Sequence, residues 1–290
     1  MRSLVHRLEY ATAQDPSLNY CLWPYKPPAP VEDRWRSVNL LYWSFECAGS
    51  EERCYEIVDA IRADIGIFQT VFGIKLVAGK LRWEYYFYDY KRLKRDVSIS
   101  RVLHAIRDLM QCEVRPNEDL PYFMFSLDMT AETSSALTPL DVIHMYIGNP
   151  GSVVSSGIAY AVRKHKTTLE NFYFFFDAET QVIEIAKKIV NSAFFDANKF
   201  LIENVLRPEF MQCTTICLAN KQTHDCIYFS GLNTGQLVLF LIQMNYPDKL
   251  VLFIRENIAS FEHLLFDVGF DYLIEDGKFL ILKSGFYGVF

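Results

Sequence analysis

The period of hydrophobic and polar positions changes along the chain, and each change predicts an element. From Val31 to Ile65 apolar residues recur three and four apart. Val38, Leu41 and Tyr42, then Ile57, Ala60 and Ile61, fall at the spacing of a helix face. Beyond residue 70 the period drops to two, and apolar-rich runs come in pairs around short polar turns. FGIKLV and LRWEYYFYDY flank Ala78-Gly79-Lys80 within 71–90, and YFMFSLDM (122–129) precedes VIHMYIG (142–148). SGIAYAVR and TLENFYFFF lie either side of Lys164-His165-Lys166, within 155–176. TTICLAN and DCIYFSG surround Lys221-Gln222-Thr223, and VGFDYLIE and KFLILKSGFYGVF surround Asp276-Gly277, a strong hairpin signal. Helical patterns separate the pairs. One runs from Ser100, a plausible N-cap, to Met110; one carries Val182, Ile185, Ala186 and Ile189 on a single face; one starts at Thr234.

Five hairpins make ten strands, and hairpin connections favour antiparallel pairing. Such a sheet can close into a barrel ringed by helices, which removes its exposed edges. The expectation is an α+β fold. A single hairpin–helix repeat domain spans residues 31–290 after an extended N-terminal arm, residues 1–30, where Trp23-Pro24-Tyr25-Lys26-Pro27-Pro28 opposes regular structure. The repeat is structural only, because no residue motif recurs from unit to unit.

Strand parity then predicts which side chains face the interior. In 80–90, Lys80, Arg82, Glu84, Tyr86, Tyr88 and Tyr90 share one face, and Leu81, Trp83, Tyr85 and Phe87 the other. If helices cover the outside, the apolar second face packs beneath them and the first points inward. The last strand aligns Phe279, Ile281, Lys283, Gly285 and Tyr287. Asn171, Tyr173 and Phe175 alternate in the third pair, and Cys226, Tyr228 and Ser230 in the fourth.

Composition narrows the classes. Of 290 residues, 51% are hydrophobic and 22% charged, which excludes a disordered or low-complexity chain. The aromatic share of 15%, with 17 Tyr and 23 Phe, suits strands and an aromatic cavity. A net charge of −6 provides no basic field for nucleic acid, and the run Lys91, Arg92, Lys94, Arg95 is expected to be a solvated loop that could guide anions. No apolar run approaches the length of a membrane span. MRSLVHRLEY lacks a signal-peptide core, and seven cysteines without a C-x-x-C pair suggest reduced thiols and a cytoplasmic location.

Metal and nucleotide motifs are missing. The six histidines form no H-x-x-x-H or H-E-x-x-H pair, so no metal site is expected. His144, beside Tyr146 on its strand, is expected to be a satisfied core histidine. Ser152, Ser155 and Ser156, around Gly151 and Gly157, are expected to form a plain polar loop.

At the residues of the presumed interior the chain resembles the ABBA, or PT-barrel, aromatic prenyltransferases. The matching segments are Ala78-Gly79-Lys80-Leu81-Arg82-Trp83-Glu84-Tyr85-Tyr86-Phe87, Lys164-His165-Lys166-Thr167-Thr168-Leu169-Glu170-Asn171-Phe172-Tyr173-Phe174 and Lys283-Ser284-Gly285-Phe286-Tyr287. The resemblance implies a ten-stranded barrel that transfers a prenyl group from an allylic diphosphate, dimethylallyl or geranyl, to an aromatic small-molecule or peptide acceptor. It implies diphosphate contacts from Arg82, Lys166 and Lys283, a cation shield of Tyr173, Tyr228 and Tyr287, and acceptor orientation by Glu84. No cofactor would be required, although magnesium could assist. The segment Asp225-Cys226-Ile227-Tyr228 departs from the pattern by lacking an arginine. Two alternatives stand beside this reading. One is a non-catalytic protein holding a hydrophobic ligand or partner in the aromatic cavity; the other is an enzyme using Glu84 or Asp271 as general base.

Overall fold

The computed structural model describes residues 7–91, 93–130, 139–148 and 156–290. Ten strands follow one another as β1 Thr70–Val77, β2 Lys80–Tyr88, β3 Met124–Met129, β4 Val142–Gly148, β5 Ser156–Arg163, β6 Lys166–Asp177, β7 Thr215–Lys221, β8 Asp225–Leu232, β9 Phe266–Glu275 and β10 Lys278–Val289. Each pairs antiparallel with the next, and β1 pairs with β10, so the sheet is a closed barrel and leaves no edge strand. The five expected hairpins are present. Two of them turn on two residues of positive φ, Ala78-Gly79 and Asp276-Gly277, the conformation that matches the right-handed twist of the flanking strands.

Helices Val38–Ala48 and Glu51–Ile65 precede β1. Gly49 separates them at φ 67, which breaks the helical pattern into two pieces. The helix expected from Ser100 is Ile99–Ala105, and its cap is Ser98, whose side chain accepts the amide of Arg101. Helix Val182–Val190 buries Ile185 and Ile189 and leaves Val182 exposed. Asn233 and Gln236 form a capping box at the start of helix Thr234–Gln243. None of the helices in the described residues is long and apolar enough to cross a membrane.

The barrel wall separates two apolar clusters. Outside, Trp83, Tyr85, Phe87, Phe125, Ile227 and Phe286 pack beneath the helices. Inside, Val71, Tyr86, Tyr88, Met124, Tyr146 and Tyr287 pack on one another. The parity of β2 is therefore as its alternation indicates. In β10 it holds only for the second half. The register slips between Ile281 and Lys283, a bulge that reverses side-chain direction. Phe279 accordingly packs on the outer cluster and stacks on Tyr272, whereas Lys283, Gly285 and Tyr287 stay on the inner wall.

The two ends of the barrel differ. At one end lie the turns β1–β2, β5–β6, β7–β8 and β9–β10; at the other, the helical connections β2–β3, β6–β7 and β8–β9. Residues 18–25 fold across this second end. The Tyr20 amide donates to Asp267 Oδ2 at 2.7 Å, and Asn19 Oδ1 accepts the amides of Cys21 and Trp23. All seven cysteines are free thiols.

Candidate functional site

Inward-facing positions near the hairpin end carry charge, because the outer face of each strand is already committed to packing under helices. Glu84 on β2 faces Asp128 on β3 in the strand register, and Lys75 projects from β1 beside them. The Lys75 ammonium contacts Glu84 directly and lies 3.8 Å from Asp128 Oδ1. Tyr86 donates to Glu84 Oε2 at 2.5 Å, and Ser126 donates to the other oxygen. His144 on β4 spans two carboxylates, with Nε2 3.0 Å from Asp128 Oδ2 and Nδ1 2.8 Å from Glu170 Oε2.

A second cluster draws on β7, β9 and β10, and β10 pairs with β1 beside the first. Asp271 on β9 accepts Lys221 Nζ at 2.7 Å and His224 Nε2 at 2.7 Å, and Lys283 Nζ lies 3.4 Å away. The Asp271 carboxylate is almost fully buried. Burial alone would raise its pKa, yet Lys221, Lys283 and His224 hold it far below the usual carboxylate range. Burial likewise opposes the ionised forms of Asp128 and His144. Lys75 and His144 keep Asp128 ionised, and the two carboxylates beside His144 raise its pKa. For Lys75 burial dominates and brings the ammonium down to about 8.

Between the clusters is a cavity of about 460 Å³, within the size range of small-molecule sites. Tyr86, Tyr146, Tyr173, Tyr228 and Tyr20 line its deep side, and burial raises every one of these phenols well above the ordinary value. Tyr287 joins the same layer, with its ring centroid 5.8 Å from that of Tyr86 and 6.2 Å from that of Tyr228. Two glycines make room for the rings. A Cβ on Gly73 would lie 2.8 Å from Tyr287, and one on Gly269 2.4 Å from Tyr228.

The structure thus brings together most of the residues singled out from the sequence. Glu84, Arg82, Lys283, Tyr173 and Tyr228 border the cavity, and Tyr287 lies in the layer beneath. Lys166 is exposed at the start of β6 and does not join the lining. The polar loop expected around Ser152 and Ser155, and Arg92 of the basic run, fall outside the described residues.

Lys75, Asp128, Lys221 and His224 had escaped sequence reasoning. Period two in FGIKLV already places Lys75 on the face of Gly73, and Asp128 is the lone charge in YFMFSLDM. His144 is hydrogen-bonded as expected of a core histidine, but it also borders the cavity. No sequence motif gives reason to expect a metal site, yet the barrel gathers three side chains of ligating type. Glu84, Asp128 and His144 offer ligand atoms within 4.8 Å of one another. They come from three separate strands, so no linear spacing motif could reveal them.

Fold and site together define a closed antiparallel barrel with a charged chamber at one end and a tyrosine layer beneath it. No family model matches the chain. The chain is similar to a protein of Acanthamoeba polyphaga mimivirus described as JmjC domain-containing, with 22% identity over 267 residues. The similarity covers 80% of this chain and 44% of that protein, so the chain spans less than half the relative's length. This finding overturns the prenyltransferase expectation, together with its allylic diphosphate and aromatic acceptor as partners. The barrel stands, but the family assigned to it does not. The alternative of a non-catalytic hydrophobic-ligand protein gains no support from the relative either.

Proposed function

We propose that the chamber is a metal-dependent catalytic site acting on an organic substrate. Its chemistry would be of the hydroxylase or demethylase kind that JmjC proteins perform with Fe(II) and 2-oxoglutarate. The observation that carries this reading is the convergence of Glu84, Asp128 and His144 at the wall of a cavity large enough for a co-substrate.

The donor set suits a divalent cation. Two carboxylate oxygens and an imidazole nitrogen are ordinary ligands for Fe(II) or Mn(II), although non-haem Fe(II) oxygenases use two histidines and one carboxylate. Here a carboxylate replaces one histidine. Glu170 accepts from the far nitrogen of His144, the kind of outer contact that fixes a metal-binding imidazole. Lys75 now supplies positive charge between Glu84 and Asp128. A metal ion would take over that charge, so Lys75 would have to withdraw. The sequential strand order differs from the Greek-key jelly roll of cupins, so support for this chemistry rests on the relative's name and this chain's own donors.

A bound Fe(II) would supply redox and oxygen chemistry that side chains lack. The protein would supply the rest. Ser126 and Tyr86 orient Glu84, and Lys221 offers an ammonium group to a carboxylate of an oxo acid. The tyrosine layer excludes water from the deep side.

Calorimetric titration with Mn(II) under anaerobic conditions, with and without 2-oxoglutarate, tests the reading. One site is expected, strengthened by 2-oxoglutarate and lost in Asp128→Asn combined with His144→Gln. No uptake by the native chain, or equal uptake by the double variant, overturns it.

A further inference from the structure

The tyrosine layer has space on both sides. Beyond it lies a second pocket of about 90 Å³, lined almost entirely by apolar surface and bordered by Asn19, Tyr20, Cys21 and Trp23. Tyr20, Tyr146, Tyr173 and Tyr228 border both spaces, and Tyr20 differs from the other three in how it is held. Unlike the other rings of the layer it is not carried by a strand. The segment that crosses the barrel end delivers it, with the backbone amide tied to Asp267. Its ring sits edge-on between Tyr86 and Tyr287, with centroids 5.1 and 4.7 Å away.

Two ammonium groups, Lys221 and Lys283, meet the buried Asp271 carboxylate on the barrel wall, and Lys283 is both the farther from it and the more exposed of the two. Lys283 shares a cleft with Tyr228 and Tyr287, at the border of the aromatic layer. A cationic group beside aromatic rings, with an apolar pocket behind them, fits a molecule with an anionic head and an apolar tail.

We propose that the organic substrate of the chamber is an amphiphilic carboxylic acid. Its head meets Lys283, its tail points to the apolar pocket, and Tyr20 is the gate that limits how long a tail enters. This rests on the metal-site reading only for the reaction; the binding preference is a property of the metal-free barrel. Removing the Tyr20 ring would join the two spaces and admit longer tails.

The test is thermal unfolding in the presence of a chelator, with straight-chain carboxylates from propionate to decanoate as probes. In the native chain stabilisation should rise with chain length and then stop. In Tyr20→Ala the rise should continue further, with binding about fourfold tighter for each additional buried methylene. Tyr20→Phe keeps the ring and should retain the native profile, which separates gating from a general loss of packing. If Tyr20→Ala does not fold, Tyr20→Leu replaces it. Lys283→Met should weaken every probe alike. Identical length profiles for the native chain and Tyr20→Ala, or unchanged binding in Lys283→Met, overturn the proposal. Because no metal is present, failure here leaves the Mn(II) titration to be judged on its own, and the reverse also holds.

Discussion

Glu84 and Asp128 face each other across paired strands β2 and β3, and one ammonium, that of Lys75, lies against both carboxylates. Two like charges this close inside a barrel wall repel strongly unless a cation lies between them. The fold therefore uses Lys75 as an internal counter-ion. Lys75→Met should cost about 3–5 kcal/mol, because it leaves the buried Glu84 carboxylate without a counter-ion. Denaturant unfolding measures this, and Glu84→Gln in the same chain should restore a large part of the loss. A cost below about 1 kcal/mol would show that water already neutralises the pair.

Lys75 also opposes any cation entering between these carboxylates. Lys75→Met should therefore bind Mn(II) more tightly than the native chain, by tenfold or more on the order of one lost charge repulsion at short range. The metal would also restore stability to that variant, raising its unfolding midpoint more than it raises the native one. Calorimetry and thermal unfolding with and without Mn(II) give both quantities. Equal affinities in the two chains would place the metal away from Lys75.

How much of this was legible in the sequence differs between wall and chamber. Hairpins were readable because period-two alternation and turn residues such as Asp276-Gly277 are local signals. The inward face of β2 followed from parity alone, since Trp83, Tyr85 and Phe87 needed helices above them. Parity failed at the Ile281–Lys283 bulge, because one added residue reverses direction without leaving a compositional trace. The chamber was less legible for a different reason. Glu84, Asp128 and His144 are brought together by barrel closure and register, and their separation in sequence has no fixed meaning. A basic, tyrosine-rich lining also suits more than one anionic ligand. Arg82, Lys283, Tyr173 and Tyr228 thus border the cavity while the reaction inferred from them was corrected.

Gly269 offers a test of how tightly the tyrosine layer is held. A Cβ there would lie 2.4 Å from the Tyr228 ring and 2.8 Å from the Ile227 carbonyl oxygen. Gly269→Ala should destabilise the barrel by about 1–3 kcal/mol, the usual range for overpacking. Tyr228→Ala in the same chain should recover only part of this, because the backbone oxygen remains. Gly73→Ala meets only ring atoms, of Tyr287 and Tyr86, so Tyr287→Ala should recover most of its loss. Unfolding midpoints of the singles and doubles decide the matter. Full recovery in Gly269→Ala/Tyr228→Ala would mean that the backbone contact relaxes freely.

His263 should make stability depend on pH outside the chamber. Its side chain is buried, and its Nδ1 has no hydrogen-bond partner among the described residues. Burial and the nearby Arg34 cation lower its pKa from 6.5 to about 4, while Asp15 and Glu262 act in the opposite direction. A histidine whose folded pKa is depressed stays neutral in the fold but takes up a proton on unfolding. Its contribution is complete above the unfolded pKa of 6.5 and is lost as pH falls toward about 4. The full shift corresponds to at most about 3 kcal/mol. Urea unfolding at pH 7 and pH 5 should show a loss in the native chain that shrinks in His263→Leu, since the variant has no imidazole to protonate. The carboxylates Asp15 and Glu262 titrate in both chains, so the difference between the two profiles isolates His263. Parallel profiles would mean that His263 has the same pKa in the folded and unfolded chain, and a native chain that gains stability relative to the variant as pH falls would mean that Asp15 or Glu262 holds it protonated.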